Sequence, residues 1–386
     1  MTLDLMILTS YFAIEPKNIG GGIGYRYVGL YGSLIRALFK YSPESKVFWY
    51  SHNDQALRII TEENVQKLKK NMLKSIIYAI SDTFTSNSYL GVIIAYPYAI
   101  PGIKRIFEYV FCLLILKIFR NRHLKTFVDY FDPPMEAYYA FRNQSPPFLF
   151  AVYTRFLEKL VLKLASYVIV LNEFWKCHLT RIYGINRGRI IVIPNGSLLC
   201  YVRDNSQKSK DVVNVLYAGS ATKERGVDAL VQTISKLNEN GLKLNLYIGK
   251  GPMYLPSWVH VSNHPWPEFV RRVLVNSDIC VIPYPPDKLF FSSIAPVKLF
   301  DYMAAGKPII STNLKETGNI IKTYNCGLVA RNWKEFELYL ETLYYDRELA
   351  KKLGENGRRA AEKYFNYELL AETLLQRLVK TFGEHC

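Results

Sequence analysis

The sequence predicts an α/β protein built from two parallel sheets, each covered by helices on both faces. Three observations predict it. Strand-like and helix-like segments alternate along the chain, the alternation restarts after a polar stretch at 203–212 ("RDNSQKSKDV"), and 386 residues suffice for two cores of ordinary size.

The elements follow in order. "LMILTSYF" reads as a first strand and "GGGIGYRYVGLYGSLIRALF" as a glycine-rich loop opening into an amphipathic helix. "KVFWYS", "GVIIAYPYA" and "KTFVDYF" read as strands, "YTRFLEKLVLKLA" as a helix, and "SYVIVLN" and "RIIVIPNG" as further strands. After the linker come the strand "VNVLYAGS", the helix "GVDALVQTISKLNENG", the strand "LKLNLYIGKG", the helix "EFVRRVLVNSD" and the strand "ICVIPY". "PVKLFDYMAAGKP" (296–308) is a helix with its punctuation visible, and "PIIST" a short buried strand after it. Pro296 suits a first turn, Ser292 or Ser293 a cap, and Gly306 with Pro308 a stop. The expected domains are 1–203 and 204–366, with the C-terminal helix 367–386 packing back on the first. Ligands of such sheets bind at the carboxyl ends of the strands, so a cleft between the two domains is expected.

A hydrophobic content of 49% with 21% charged residues describes a folded globular chain. The six cysteines lie far apart without zinc-like spacing, and read as reduced thiols of a cytosolic protein. "LDLMILTSYF" lacks the basic start of a signal peptide. The formal charge is +16, and residues 1–200 carry 24 Lys and Arg against 13 Asp and Glu. That half is expected to meet an anionic surface or a phosphorylated ligand. No RNP-like, KH-like or zinc-knuckle pattern points to nucleic acid. The segment "IKRIFEYVFCLLILKIFRNR" (103–122) has an apolar run flanked by basic residues, shorter than the roughly 20 residues of a spanning helix. It reads either as a helix lying in a membrane interface or as an ordinary buried helix.

Three loops carry candidate chemistry. The glycines of "IGGGIGYR" let the backbone approach a ligand, and the helix start that follows favours anions. "YAGSATKERGVDAL" repeats that logic after Gly219 and adds Lys223 and Arg225, a diphosphate clamp or a pair of solvated charges. Gly249 in "YIGKGP" offers bare backbone against which a flat ring can lie, or marks a simple turn. In the helix of 296–308, the backbone amides near 294–297 suit a phosphate and Asp301 suits ribose hydroxyls. Lys298 either pairs with Asp301 or meets the phosphate.

These segments, in this order, resemble the retaining GT-B glycosyltransferases of the family 4 type (glycosyl transferases group 1). The most specific is "KLFDYMAAGKPIIST", since the family carries an acid–x–Met–Ala–x–Gly–x–Pro helix. The resemblance implies two Rossmann-like domains, a nucleoside-diphosphate sugar held mostly by the C-terminal one, transfer with retention, and no required metal or other cofactor. Carried over, Asp301 matches the glutamate that binds the donor ribose, Arg225 the lysine that binds the diphosphate, and Gly21 and Gly22 the loop near the phosphates. Asp129 falls where the family presents a His or Asp towards the transferred sugar, with Asp132 as runner-up. Gly219, Gly249, Ser293, Ile294, Ala295 and Lys298 complete the expected donor site, with Lys223 and Arg225 stabilising the leaving group. The chain departs from the family pattern in having Ser293 where an acid is frequent, Ser220 where Arg is usual, and Lys298 where Pro is common.

The expected activity is therefore transfer of a sugar from a nucleoside diphosphate to a lipid-linked or glycan acceptor. The expected location is the cytoplasm, peripheral on the inner face of the membrane. Two alternatives stand beside it: a catalytically silent nucleotide-sugar-binding protein, suggested by Ser293, and a sugar-nucleotide epimerase on the same fold.

Overall fold

The computed structural model describes residues 2–9, 12, 25–96, 103–118, 123–142, 144–199 and 212–383. The loop glycines Gly21 and Gly22 lie outside the described residues.

The N-terminal half runs β1 (Leu3–Thr9), α1 (Gly32–Tyr41), β2 (Val47–Ser51), β3 (Ala56–Ile60), β4 (Val65–Lys69), α2 (Met72–Thr85), β5 (Tyr89–Ala95) and α3 (Ile103–Ile118). It continues with β6 (Leu124–Tyr130), α4 (Pro134–Arg142), α5 (Phe148–Leu164), β7 (Tyr167–Val170), α6 (Glu173–Tyr183) and β8 (Ile190–Val192). These strands form one eight-stranded sheet in the order β4-β3-β2-β1-β5-β6-β7-β8. The central strands β1, β5 and β6 read as apolar runs because helices bury both of their faces.

The first sheet is parallel as expected except at one edge, where β2, β3 and β4 pair antiparallel. The sequence reading had passed over β3 and β4. The turn closes where the Thr61 N–H donates to the Asn64 carbonyl at 2.9 Å. β4 is exposed along most of its length and carries two lysines, which blunts the free edge against further pairing.

The second half holds β9 (Val213–Ser220), α7 (Val227–Glu239), β10 (Leu244–Gly249), β11 (Val259–Ser262), α8 (Trp266–Phe269), β12 (Ile279–Ile282), α9 (Leu289–Ser293) and α10 (Val297–Ala304). β13 (Ile309–Thr312), α11 (Lys315–Tyr324), β14 (Gly327–Ala330), α12 (Trp333–Tyr345), α13 (Arg347–Tyr364) and α14 (Tyr367–Gly383) complete it. Its six strands are all parallel, ordered β11-β10-β9-β12-β13-β14.

The helix punctuation at 296–308 differs in detail from the sequence reading. Ser292 and Ser293 belong to the separate short helix α9, and no side chain caps α10. The Ser292 hydroxyl instead accepts from the Lys315 N–H at 3.2 Å. Gly306 ends the segment in the left-handed conformation, φ 64°, which a side chain would strain.

Each sheet has its own hydrophobic core. The chain returns from the second unit at 365–367, where Ser197 N–H donates to Phe365 O at 2.8 Å and Tyr367 N–H to Ser197 O at 3.2 Å. From there α14 lies against α1, and Tyr367, Leu370, Leu374 and Leu378 join the first core.

Candidate functional site

The carboxyl ends of β6, β9 and β12 and the N-terminus of α10 gather most of the residues singled out in the sequence. The bottom of the site is a cationic cup in the second unit. Lys298, in the first turn of α10, donates to the Tyr284 hydroxyl at 2.8 Å. Its ammonium lies 4.1 Å from the centre of the Tyr217 ring and 4.9 Å from that of Tyr284. Of the two roles open to Lys298, pairing with Asp301 is not the one seen, and no carboxylate pairs with it among the described residues. Burial lowers the Lys298 pKa to about 8, with Arg225 acting in the same direction and Tyr284 against it. Burial by itself would raise the Tyr284 phenol, but Lys298 and Arg225 bring it below the ordinary tyrosine range.

Arg225 ends the short turn after β9, its guanidinium 5.3 Å from the centre of the Phe141 ring, which belongs to α4 of the other unit. Lys223 is exposed on the same turn, and the cation that joins Arg225 in the cup is Lys298. Gly219 makes the cup possible: a Cβ there would sit 2.5 Å from the Lys298 ammonium and 2.5 Å from the Tyr217 hydroxyl oxygen. At Gly249 a Cβ would lie 2.8 Å from the Gly219 carbonyl oxygen, so close packing of β10 on β9 already accounts for a missing side chain there.

Asp301 sits one turn further along α10 and is 8% exposed. One of its oxygens accepts from the Tyr25 hydroxyl and from the Ser197 hydroxyl, the latter at 2.9 Å. The other accepts from Trp266 Nε1 at 3.4 Å. Burial raises its pKa to about 7, although all three hydrogen bonds favour the charged form. The acid expected to hold ribose thus holds the N-terminal unit here, through Tyr25 and Ser197.

The loop between α9 and α10 is gripped from the same side. Asn172 caps α6 by accepting from Trp175 N–H, and its amide donates to the Ser293 carbonyl at 2.7 Å. Asn195 donates to the Ala295 carbonyl at 3.2 Å and accepts from Arg26 at 3.2 Å. Ile294 is buried between these two anchored residues. The Ser293 hydroxyl is itself buried, without a hydrogen-bond partner among the described residues.

Across the seam, β6 ends in Asp129. Arg26 grips this carboxylate with two hydrogen bonds of 2.9 Å and the Tyr31 hydroxyl adds a third of 2.6 Å. Both of its oxygens are therefore occupied by the protein. Asp132, three residues on, is half-buried. Burial raises its pKa to about 7, opposed by Arg26 and reinforced by Asp129.

Sequence reasoning had not found Tyr25, Arg26, Tyr217, Tyr284 or Trp266. Tyr25 and Arg26 were legible in one respect, as the two residues directly after the glycine loop at the start of a helix. The other three are aromatic residues at ordinary core spacing, and only their polar atoms distinguish them.

A family model described as Glycosyl transferases group 1 matches residues 213–346, the greater part of the second unit. No curated protein sequence matches the chain. Among solved structures, sucrose-phosphate synthase from Thermosynechococcus elongatus superposes with a TM-score of 0.69 at 15% identity, over 98% of this chain and 99% of that one. Anabaena HepE in complex with UDP-glucose gives 0.60 at 10% identity, over 98% and 99%. WaaG, a glycosyltransferase involved in lipopolysaccharide biosynthesis, gives 0.51 at 16% identity, over 79% and 95%. The architecture is that of the GT-B glycosyltransferases.

Proposed function

We propose that this chain transfers a sugar from a nucleoside-diphosphate donor to a lipid-linked or glycan acceptor, with retention at the anomeric carbon. The observation that carries this reading is the cup of Arg225 and Lys298 beside the N-terminus of α10, a half-buried cationic site in which no carboxylate pairs with Lys298 among the described residues. A diphosphate would supply the missing negative charge. The UDP-glucose bound by HepE and the lipopolysaccharide role of WaaG support the classes of donor and acceptor.

In this reading the two cations and the helix N-terminus stabilise the leaving diphosphate as the glycosidic bond breaks. The acceptor hydroxyl attacks the same face of the sugar and passes its proton to the departing phosphate oxygen, so no enzymic base is required. Asp129 holds Arg26 at the edge of the cleft, and Asp132, mostly protonated below pH 7, is the carboxyl proposed to meet the sugar hydroxyls. Asp301 takes the ribose hydroxyls by exchanging the Tyr25 and Ser197 hydroxyls for them. The reaction is proposed to run without a metal, so transfer should survive excess chelator.

A thermal-shift series with UDP-, GDP- and ADP-sugars tests the donor, since a ligand of the folded state alone raises stability with the logarithm of its concentration. One donor class should stabilise the protein, and Arg225→Ala should remove the effect. Equal response to inorganic diphosphate and to every nucleotide would overturn it.

The second reading, a protein that binds a nucleotide sugar without turning it over, is favoured by Ser293 and by the protein donors that already satisfy Asp301. It predicts donor binding with neither transfer nor hydrolysis. An epimerase would instead convert the nucleotide sugar with no acceptor present.

A further inference from the structure

Two neighbouring helices of the N-terminal unit leave apolar side chains in solvent. On α5, Phe148, Leu149, Val152 and Phe156 are 78%, 79%, 52% and 61% exposed. At 100° per residue these four fall within one 100° arc of the helix, and the exposed Lys159 and Lys163 continue the same arc towards its C-terminus. α3, which packs beside α5, adds Phe111, Leu114 and Ile118, at 54%, 44% and 80% exposed.

These residues are not a core left open. The other face of each helix is buried on the sheet, through Val110, Leu113 and Leu116 of α3 and through Leu157, Val161 and Leu162 of α5. Among the described side chains of α3, Val110, Leu113 and Leu116 face the core and Phe111, Leu114 and Ile118 face solvent. α5, which the sequence reading treated as a plain helix, carries the larger patch.

The exposed charges beside the patch are mainly cationic. Lys117, Lys159 and Lys163 are exposed on these two helices. Of their two acids, Glu158 is fully buried with the Tyr130 and Tyr183 hydroxyls, and Glu108 faces His52 at 3.6 Å. Clustered phenylalanines and aliphatics, bordered by lysines with long apolar stems, suit the boundary between acyl chains and anionic headgroups. No helix among the described residues is long and apolar enough to cross a bilayer.

We infer that the α3–α5 face docks the protein on the surface of a bilayer containing anionic phospholipid, with Phe148 and Phe156 entering the interface and Lys159 and Lys163 meeting the headgroups. The docking stands independently of the transferase reading. That it would bring the cleft to a lipid-linked acceptor rests on that reading.

Cosedimentation of the full chain with vesicles tests it, using phosphatidylcholine alone and phosphatidylcholine mixed with phosphatidylglycerol. Binding should need the anionic lipid and weaken with salt. The doubly substituted F148S/F156S should lose about tenfold or more in partitioning, while Tyr254→Ser, at another exposed aromatic, loses none. K159E/K163E should lose a similar factor on anionic vesicles only. All these positions are exposed, and unchanged melting temperatures would confirm intact folding. Equal binding to both vesicles, or F148S/F156S bound as tightly as the wild type, would overturn the proposal. So would absent vesicle binding together with concentration-dependent self-association that F148S/F156S abolishes, which would assign the face to a second copy of the chain. Donor-induced thermal shifts, measured without vesicles, report separately on the cleft.

Discussion

The Tyr25 hydroxyl of the N-terminal unit donates to the Asp301 carboxylate on α10 of the second unit, so one buried acid joins the two halves of the molecule. Ser197 and Trp266 complete its coordination. A carboxylate held this way is satisfied without ligand, and a ribose must compete with the protein for it.

The first prediction concerns this acid and pH. The pKa of Asp301 is about 7 in the fold, against about 3.9 for an unfolded aspartate. Between those values the folded state holds a proton that the unfolded chain has released. Asp301 therefore makes stability fall as pH rises through that window, with a slope approaching about 1.4 kcal/mol per pH unit. Asp301→Asn keeps an acceptor for Tyr25 and Ser197 and removes the titration. Urea denaturation should show the variant gaining on the wild type between pH 5 and pH 8. A constant difference would mean that Asp301 is ionised throughout.

Asp301→Glu should retain donor binding better than Asp301→Asn, because only the glutamate keeps a charged acceptor for both ribose hydroxyls. Isothermal titration with the stabilising nucleotide compares the two directly. Equal affinities would remove Asp301 from the ribose site.

Lys298 makes a second pH prediction, read in ligand affinity. Burial brings it to about 8, so the unliganded protein loses this positive charge as pH rises through that value. Nucleoside-diphosphate affinity should fall between pH 7 and pH 9. Lys298→Met should flatten the profile and weaken binding about tenfold or more at pH 7, the scale of a hydrogen bond to a charged group. Gly219→Ala should act through the same contact, since its methyl would collide with the Lys298 ammonium while leaving the strand paired.

Arg26 and Asp129 are both buried, and each is the main charge partner of the other. Arg26→Met should cost about 3–5 kcal/mol in chemical denaturation by stranding a buried carboxylate. The double substitution R26M/D129L should cost less than the sum of its parts. Asp132→Asn should leave stability within about 1 kcal/mol while lowering the transfer rate. Loss of folding without loss of rate would assign Asp132 a structural part only.

Much of the fold was legible because strands buried on both faces are written as apolar runs and helices as amphipathic ones. β1, β5, β6, β9 and β12 announced themselves in that way. β3 and β4 did not: an antiparallel edge needs only one covered side, and β4, mostly exposed and carrying two lysines, has no apolar run to show. Gly219, Arg225 and Lys298 were legible as unusual residues at strand ends, and their convergence on Tyr217 and Tyr284 was not.

The sequence by itself determined that this chain forms two helix-covered sheets and that their strand ends carry cations and a helix N-terminus. Those properties are local, set by side-chain period and by the residues around each turn. Only the tertiary structure decided which groups meet. It seated Arg26 on Asp129, gave Asp301 to Tyr25 and Ser197, and put Lys298 among phenols, with no acid pairing it among the described residues. The pairings of Asp301, 276 and 104 residues apart in the chain, depend on how the two sheets are set against each other. Arg26 meets Asp129 within the first unit, across 103 residues, and burial raises Asp301 and lowers Lys298.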